Sequence, residues 1–505
     1  MPSISLSIYL GLLVLLSAVS VHRMLLALAA RRLRNRVPEA PREWPTVLVQ
    51  LPMYNERYVA ERLIDAVCAL DYPHDKLSIQ VLDDSNDETI EIAQARVELW
   101  KNRGVDIAYV RRPTREQFKA GALAHGLTQS TAELVAIFDA DFVPEPDFVK
   151  LLVPHFSDAG VGMVQARWGH LNRRYSKLTE SQAILLDGHF VNEHGGRAAM
   201  GSFFNFNGTA GIWRRKCIDE AGGWSGLTLT EDLDLSYRAQ LKGWRFVYRQ
   251  DVEVPAELPP DVNAFKTQQH RWAKGSTETA RLLLPTIWKH PTLSFRHRCE
   301  ATFHLAGNIA YPMVLLLAVL MPFAVSSRYE LLSWKLAVVD GLMFVGSAAS
   351  LITFYALAER GVGHGERILR RLPLTLALGV GLAVNNSRAV IEAVIGKRTP
   401  FARTPKWGDR KASRVDPAYL LSANWQALVE FVLGVYMVGA MGVAAANQRF
   451  LPIPFMAIFA TGFLLLALGS LRKAFMGLRT AKAALTPREG ASTIAEPHHP
   501  AADHG

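Results

Sequence analysis

Apolar residues in this 505-residue chain are concentrated in a few long runs, and these runs set its architecture. Residues 1–21 (MPSISLSIYLGLLVLLSAVSV) carry no charged side chain. A run of this length is about as long as a membrane-spanning helix needs to be. Residues 37–300 contain no comparable run. Four more apolar runs follow, at 301–327, 342–358, near 425–446 and 452–471. The pattern predicts a globular domain between one membrane-spanning helix and four others.

A cleaved signal peptide is the alternative for the first run. A signal peptide has its positive charges before the apolar segment. Here they follow it, at Arg31, Arg32, Arg34 and Arg36. We therefore expect a retained anchor at 1–30 with its basic side in the cytoplasm. The chain is then a multi-pass protein of the inner (cytoplasmic) membrane, with its globular domain in the cytosol.

A shorter apolar stretch, 372–384, has basic clusters on both sides, at 360–371 and 397–414. A complete crossing would put one cluster outside the cell, against the usual charge bias. We therefore expect an interfacial or re-entrant helix, followed by a cytoplasmic loop, within 359–420. The remaining predicted segments are two spanning helices at 301–358, two more at 421–473 and a disordered tail at 482–505.

The net charge of +10 is explained by basic residues at the cytoplasmic membrane face, next to anionic lipid. The sequence contains no nucleic-acid-binding motif, so we expect no nucleic-acid partner. Cys68, Cys217 and Cys299 show no metal-ligand spacing and fit a reducing cytosol.

Residues 37–300 alternate between strand-like and helix-like segments. The predicted strands are TVLVQLP (46–52), LSIQVLDDS (77–85), VDIAYVRR (105–112), LVAIFDAD (134–141) and VGMVQARW (161–168). Nearly continuous apolar strands separated by helices indicate a Rossmann-like α/β domain, with a mostly parallel sheet covered on both faces. In such sheets ligands bind at the carboxyl ends of the strands.

Two acidic pairs lie at those strand ends. Asp83 and Asp84 end the second strand, and Asp139 and Asp141 end the fourth. Carboxylates in this position can bind a hard divalent cation together with phosphate oxygens, although solvated loop acids are the alternative. The chain has no glycine-rich phosphate loop of either common pattern. Metal and basic side chains such as Lys119 would therefore have to hold any phosphate.

Two further stretches carry groups suited to sugar chemistry. In TLTEDLDLSYR (228–238), Asp232 is either an acid of a capped helix N-terminus or a general base. In QQHRW (268–272), an indole can pack on a sugar ring, and an arginine can bind phosphate oxygens through its planar fork. Ordinary packing is the alternative for this second stretch.

The ordered set PMYNE, DDSND, FKAGAL, DAD, FNFNGTAGIWR, TED and QQHRW resembles the processive family 2 glycosyltransferases, which include cellulose, chitin and hyaluronan synthases. It is most similar to the cellulose synthase-like A (mannan and glucomannan synthase) group, over about residues 45–410. The resemblance implies a GT-A fold plus an all-α transmembrane region. It also implies a UDP- or GDP-hexose donor held with Mg²⁺ or Mn²⁺. Its reaction would be inverting transfer to a growing β-linked polysaccharide (β-mannan, glucomannan or β-glucan) or a lipid-linked acceptor.

The resemblance also assigns roles to residues. It gives the catalytic role to Asp232, with Glu231 beside it, and the metal to Asp141 with Asp139. The residues that it assigns to the donor are Asp83, Asp84, Lys119, Asp139, Gln268 and Arg271. Those that it assigns to the acceptor are Asn207, Gly208, Thr209 and Trp272. FARTPKWG (401–408) resembles the gating loop that covers the donor, through Phe401, Thr404 and Lys406.

Two alternatives remain open at this point. A glycolipid glycosyltransferase that adds one sugar to ceramide or diacylglycerol would have a similar site. A non-catalytic membrane scaffold could keep the fold, although it would not need the acids. The sequence does not decide the sugar, the nucleotide, or whether export requires a periplasmic partner.

Overall fold

Seven strands form one mixed sheet in the computed structural model, which describes residues 2–34, 36–330, 334–397, 399, 403–404, 406, 408 and 425–485. The strands are β1 (Val47–Met53), β2 (Leu77–Asp83), β3 (Ile107–Val110), β4 (Leu134–Ile137), β5 (Val161–His170), β6 (Gly211–Arg214) and β7 (Arg245–Ala256). Their order is β3-β2-β1-β4-β6-β5-β7. Only β6 runs antiparallel to its neighbours. The expectation of a mostly parallel sheet is confirmed.

All five predicted strands are present, and two strands, β6 and β7, were not predicted. The central strand β1 shows why its sequence is apolar almost throughout. Val49 and Leu51 face one core, and Leu48 faces the other. Both faces of the sheet are covered by helices, so both sets of side chains are mostly apolar. The polar exception, Gln50, is fully buried and donates to the Gln80 side chain at 3.2 Å.

The helices of this domain are α2 (Ala60–Cys68), α3 (Thr89–Lys101), α4 (Phe118–Leu127), α5 (Phe148–Leu152), α6 (Lys177–Asp187), α7 (Gly195–Ala199), α8 (Arg215–Glu220), α9 (Glu231–Leu241) and α10 (Val262–Lys289). A π-helical segment, Gly188–His194, joins α6 to α7. Helices α2 and α3 pack on one face of the sheet and α4 on the other.

The apolar part of the chain consists of helices. These are α1 (Pro2–Ala30), α11 (Phe295–Ala306), α12 (Ala310–Glu330), α13 (Trp334–Gly361), α14 (Ile368–Gly381), α15 (Ala383–Val394), α16 (Gln426–Ala446) and α17 (Ile453–Leu485). In the described residues, six segments are long and apolar enough to cross a membrane. Five correspond to the predicted spans, and the sixth, Ile368–Val394, contains the stretch expected at the membrane surface.

This sixth segment differs from the other five in its packing. It is 67% buried over its most apolar window, against 24–44% for the others. Its first half, α14, packs against α17 and α6, and its second half, α15, packs against α10 and α12. Within α15, the Asn385 amide donates to the main-chain oxygen of Lys266 at 2.8 Å. Its interfacial position remains a prediction.

Two expectations fall partly outside the described residues. Helix α17 continues to Leu485, four residues into the tail expected to be disordered, and residues 486–505 lie outside the described part. In the expected gating loop, Phe401 also lies outside it, whereas Thr404 and Lys406 are described.

Candidate active site

A cleft of about 1300 Å³, part of it open to solvent, lies at the carboxyl ends of β1, β2, β4 and β5. It contains thirteen of the sixteen residues that the sequence singled out: Asp84, Lys119, Asp139, Asp141, Asn207, Gly208, Glu231, Asp232, Gln268, Arg271, Trp272, Thr404 and Lys406. The cleft has the position expected for a ligand site in an open α/β sheet.

Asp83 and Thr209 do not line the cleft. The buried Asp83 carboxylate accepts hydrogen bonds from the Tyr109 hydroxyl (2.7 Å) and the Ser85 amide (2.8 Å). The Thr209 hydroxyl accepts from the main-chain amide of Asp139 at 2.9 Å. Both side chains therefore lie outside the cleft and hold the backbone next to residues that line it.

Lys119 is held at the centre of the acidic side. Its ammonium donates to Asp139 (2.5 Å) and to the main-chain oxygen of Gly208 (2.7 Å), and lies 4.0 Å from Glu231. Burial alone would lower the pKa of Lys119, but Asp139 and Glu231 outweigh it and raise the pKa above its usual value. Lys119 is therefore a permanent cation in the cleft, suited to phosphate oxygens.

The backbone just before Lys119, at the start of α4, has an unusual conformation. Gln117 and Phe118 both have positive φ (56° and 48°), a conformation that costs a non-glycine residue free energy. The Gln117 side chain accepts a hydrogen bond from the Gly226 amide at 3.1 Å, which ties α4 to the segment before α9. Strain of this kind is concentrated at functional sites.

Glu231 and Asp232 form the first turn of α9. Burial, and next the adjacent Glu231 charge, raise the pKa of Asp232 to about 7. Burial also raises the pKa of Glu231. A carboxylate with a pKa near neutrality has the basicity that a general base needs.

Gly208 approaches this pair closely. Its φ is +81°, and a Cβ atom there would lie 3.1 Å from an Asp232 oxygen and 3.4 Å from the Lys119 nitrogen. Only glycine fits both the backbone conformation and the space.

Near Asp84, the cleft is lined by Arg115 and Tyr54, and Arg112 lies behind Asp84. Arg112 forms a two-point ion pair with Asp84, at 2.8 and 2.6 Å. The Arg115 guanidinium lies 3.3 Å from the centre of the Tyr54 ring. Tyr54 and Arg115 line the cleft but were not selected from the sequence. Tyr54 directly follows β1, and this position was the available signal.

Helix α10 presents Gln268, Arg271 and Trp272 to the cleft, at the i, i+3 and i+4 spacing of one helix face. On another side of the same helix, His270 and Lys274 lie 3.3 and 3.7 Å from Glu392 of α15. The QQHRW helix is therefore fixed between the cleft and α15.

Arg403, Thr404 and Lys406 lie over the acidic side of the cleft. Arg403 pairs with Glu56 at 3.0 and 3.1 Å. The Lys406 ammonium donates to Asp141 (2.6 Å) and to the main-chain oxygen of Glu257 (2.9 Å). We call Arg403, Thr404 and Lys406 the lid.

The root of the lid is held by α10. Lys274, fully buried, donates to the main-chain oxygen of Lys397 (2.6 Å) and to the Thr399 hydroxyl (2.7 Å). One helix therefore carries both the cleft-facing QQHRW residues and the anchor of the lid.

The acids after β4 fit a divalent cation in ligand type. The described residues contain no group of three His, Cys, Asp or Glu side chains that could hold a metal alone. The cation on Asp141 is the lysine ammonium of the lid, and the one on Asp139 is that of Lys119. Mg²⁺ commonly uses one or two carboxylates and takes its other oxygens from phosphate and water. Asp139 and Asp141 match that donor set.

A family model described as "Glycosyltransferase like family 2" matches residues 45–275. The chain is 42% identical over 296 residues to glucomannan 4-beta-mannosyltransferase 1 of Oryza sativa subsp. japonica, which covers 55% of this chain and 56% of the relative. It is 41% identical over 294 residues to glucomannan 4-beta-mannosyltransferase 2 of Arabidopsis thaliana, with 55% of each chain covered. The matched region is therefore similar to cellulose synthase-like glycosyltransferases.

The chain spans about half the length of the curated relatives that it matches. Among solved structures, the chain resembles the mannosyltransferase PcManGT from Pyrobaculum calidifontis, solved in complex with GDP-Man and Mn²⁺. The TM-score is 0.51 at 20% identity, over 78% of this chain and 100% of the other. The likeness shows the shared GT-A fold. The family resemblance of the motifs and the predicted fold class are both confirmed.

Proposed function

We propose that the chain is a membrane-embedded inverting glycosyltransferase that moves a hexose from a nucleotide-sugar to a growing β-linked polysaccharide of the β-mannan or glucomannan type. The observation that carries the proposal is the cleft itself. A buried lysine, two strand-end acids and a carboxylate with a pKa near 7 meet there. The domain around them is 42% identical to an enzyme named as a glucomannan mannosyltransferase.

The basic side chains supply the binding of the donor diphosphate. Lys119 is a compact cation fixed by hydrogen bonds, and Arg271 adds a planar fork on the facing helix. Asp139 and Asp141 would hold Mg²⁺ or Mn²⁺, which supplies Lewis-acid stabilisation of the departing diphosphate.

Asp232 would act as the base. Its carboxylate takes the proton of the attacking acceptor hydroxyl, the new glycosidic bond forms at the anomeric carbon, and the bond to the diphosphate oxygen breaks. Because attack comes from the face opposite the leaving group, the configuration inverts. Lys119 and Arg271 balance the negative charge that develops on the diphosphate.

The contacts of α14 and α15 support the interfacial position of this segment. At the start of α14, Arg371 pairs with Glu180 of the glycosyltransferase domain at 2.9 Å. At the end of α15, Arg281 of α10 donates to the main-chain oxygen of Val394 at 3.3 Å. Contacts of both ends with one domain favour a position of the segment on one side of the bilayer. We therefore propose five spans, with the domain and the lid on the cytosolic side of the inner membrane.

The test uses the purified full chain in lipid with Mg²⁺ or Mn²⁺. Radiolabelled GDP-mannose, GDP-glucose, UDP-glucose and UDP-N-acetylglucosamine are offered separately, with Asp232→Asn as the inactive control. We expect a high-molecular-weight product from GDP-mannose that a β-mannanase degrades. A product found only in the organic phase would instead establish a glycolipid enzyme. Binding of donor without any transfer would establish a scaffold.

A further inference from the structure

Part of the cleft wall has no role in the proposed reaction. Trp168 and His170 at the end of β5, Leu186 of α6, and Leu258 and Pro259 after β7 all line the cleft. This group adjoins Trp272, since the centres of the Trp168 and Trp272 rings are 6.3 Å apart. We call these five residues the β5 wall.

The Trp168 ring is locked in place by aromatic neighbours. Phe142 meets it edge to face at 5.1 Å, and Phe190 packs on it at 5.0 Å. Its plane is inclined at 56° to that of Trp272, so the two indoles do not stack on each other. Both residues line the cleft, so part of each side chain is available to a ligand. Fixed aromatic rings give a sugar contact area at little cost in side-chain entropy.

The Trp168 indole nitrogen is buried and has no hydrogen-bond partner among the residues that the structure describes. A buried donor without an acceptor is unfavourable, and native proteins rarely leave one unexplained. A sugar hydroxyl could supply the missing acceptor only if the ring shifted to bring this enclosed N–H to the cleft, so the contact that the structure offers is the carbon surface of the ring. Apart from His170, which pairs with Asp187, the remainder of the wall is apolar, as is the face of a pyranose ring.

The other members of the β5 wall are held rigidly. Asn172 exchanges two hydrogen bonds of 2.8 Å with the main chain of Leu258, and Gln182 donates to the Pro259 oxygen at 2.8 Å. His170 lies 3.0 Å from Asp187. A wall fixed in this way is preformed for its ligand, which lowers the entropic cost of binding.

We propose that Trp168 and the β5 wall bind the second sugar of a β-linked oligosaccharide acceptor whose first sugar lies on Trp272. The spacing of the two rings is comparable with the advance of one sugar along an extended β-linked chain. The acceptor class is then a glycan of at least two sugars, which a single lipid-linked sugar does not satisfy. This inference rests on the proposed function and adds the acceptor to it.

The experiment measures binding directly, so that it does not require turnover. Full-length protein in lipid nanodiscs is titrated with β-1,4-mannohexaose, β-1,4-mannobiose and mannose by isothermal calorimetry, in the presence of GDP and Mn²⁺. The variants are Trp168→Ala, Trp168→Phe and Trp100→Phe. Trp100 is a matched control because its indole nitrogen bonds to Asp65 on α2 and it does not line the cleft. Transfer from GDP-mannose to the hexaose is measured in parallel.

We expect the hexaose to bind more tightly than mannose, and Trp168→Ala to weaken hexaose binding roughly tenfold or more. The hexaose affinity of Trp168→Phe, which keeps a smaller ring and loses the N–H, should lie between those of Trp168→Ala and the wild type. The affinity of Trp100→Phe should match that of the wild type. GDP affinity should stay within about twofold in all variants, which shows that the cleft is intact.

If Trp168→Ala and Trp168→Phe both bind the hexaose as tightly as the wild type does, the proposed subsite is wrong. It is also wrong if the wild type binds hexaose no better than mannose. Failure of the proposed function looks different, because the hexaose would then bind in a Trp168-dependent manner while no donor supported transfer.

Discussion

The carboxyl pair on α9 yields the sharpest prediction, because it ties the rate to pH through one structural cause. Burial, followed by the charge of Glu231, raises the pKa of Asp232 to about 7. A general base works only when deprotonated. The value of kcat/KM for transfer should therefore rise with pH to a plateau, with a midpoint near pH 7.

The size of the effect follows from this pKa. At pH 5, two units below the midpoint, about 1% of Asp232 is ionised, so kcat/KM should be about 100-fold below its plateau. An ordinary aspartate, with a pKa near 3.8, would leave the rate almost flat between pH 5 and 8. In Glu231→Gln the like charge is removed, and the acid limb should move to lower pH by on the order of one unit.

The assay measures initial transfer rates at donor concentrations well below KM, from pH 5 to 8.5, with Mn²⁺ held saturating. Asp219→Asn, an exposed acid on α8, controls for a general change in charge. The measured quantity is the pH midpoint of the rise in kcat/KM, which can be compared even if Glu231→Gln has a lower plateau rate. A wild-type midpoint below pH 5, or the same midpoint in Glu231→Gln, would refute the assignment of Asp232 as a base raised by burial and Glu231.

Three further predictions concern other parts of the cleft. Gly208→Ala should lower transfer at least tenfold, since its Cβ would crowd Asp232, whereas Gly223→Ala has a similar φ with nothing within 4 Å and should retain most activity. Equal losses would mean that backbone strain alone is responsible. Lys406→Ala should lower transfer and raise donor hydrolysis at equal protein amount, because the lid excludes water, while Lys150→Ala on α5 should change neither. Unchanged transfer and hydrolysis in Lys406→Ala would remove the lid role. Cysteines placed at exposed Leu369 and Ile395 should both react with an impermeant thiol reagent from the cytosolic side only, above the parent background. Labelling of one from each side would show that α14–α15 crosses the membrane.

The parts of the fold that the sequence predicted are those that local pattern encodes. β1, β2 and β4 are short apolar runs because both of their faces are buried, and acids follow two of them. β7 did not show this pattern, since it is an edge strand paired only with β5 and keeps charged residues at Arg245 and Glu253. β6 has four residues, too few for any periodicity to show.

In the candidate site, too, the sequence predicted what local motifs encode and missed what depends on distant contacts. The residue types of the cleft were predicted from motifs, and thirteen of them meet there. Their pairing was not predictable, because it depends on contacts across long stretches of chain. Lys406 and Asp141 are 265 residues apart, and Lys119 and the Gly208 oxygen 89. Trp168 was counted as an ordinary strand residue, since nothing local shows that β5 ends in the cleft wall.

The order in which the cleft is assembled has a consequence for how the protein is made. Synthesis proceeds from the N-terminus, so the acids, Lys119 and QQHRW leave the ribosome well before residues 403–406. Helix α10, which carries QQHRW, contacts Glu392 of α15 through His270. Helix α15 follows α12 and α13 in the chain, so this contact also forms late in synthesis. A nascent chain therefore carries an unfinished cleft until its membrane helices are inserted. We expect a chain that ends before residue 403 to keep the acids and QQHRW but to lack the contacts of Arg403 with Glu56 and of Lys406 with Asp141.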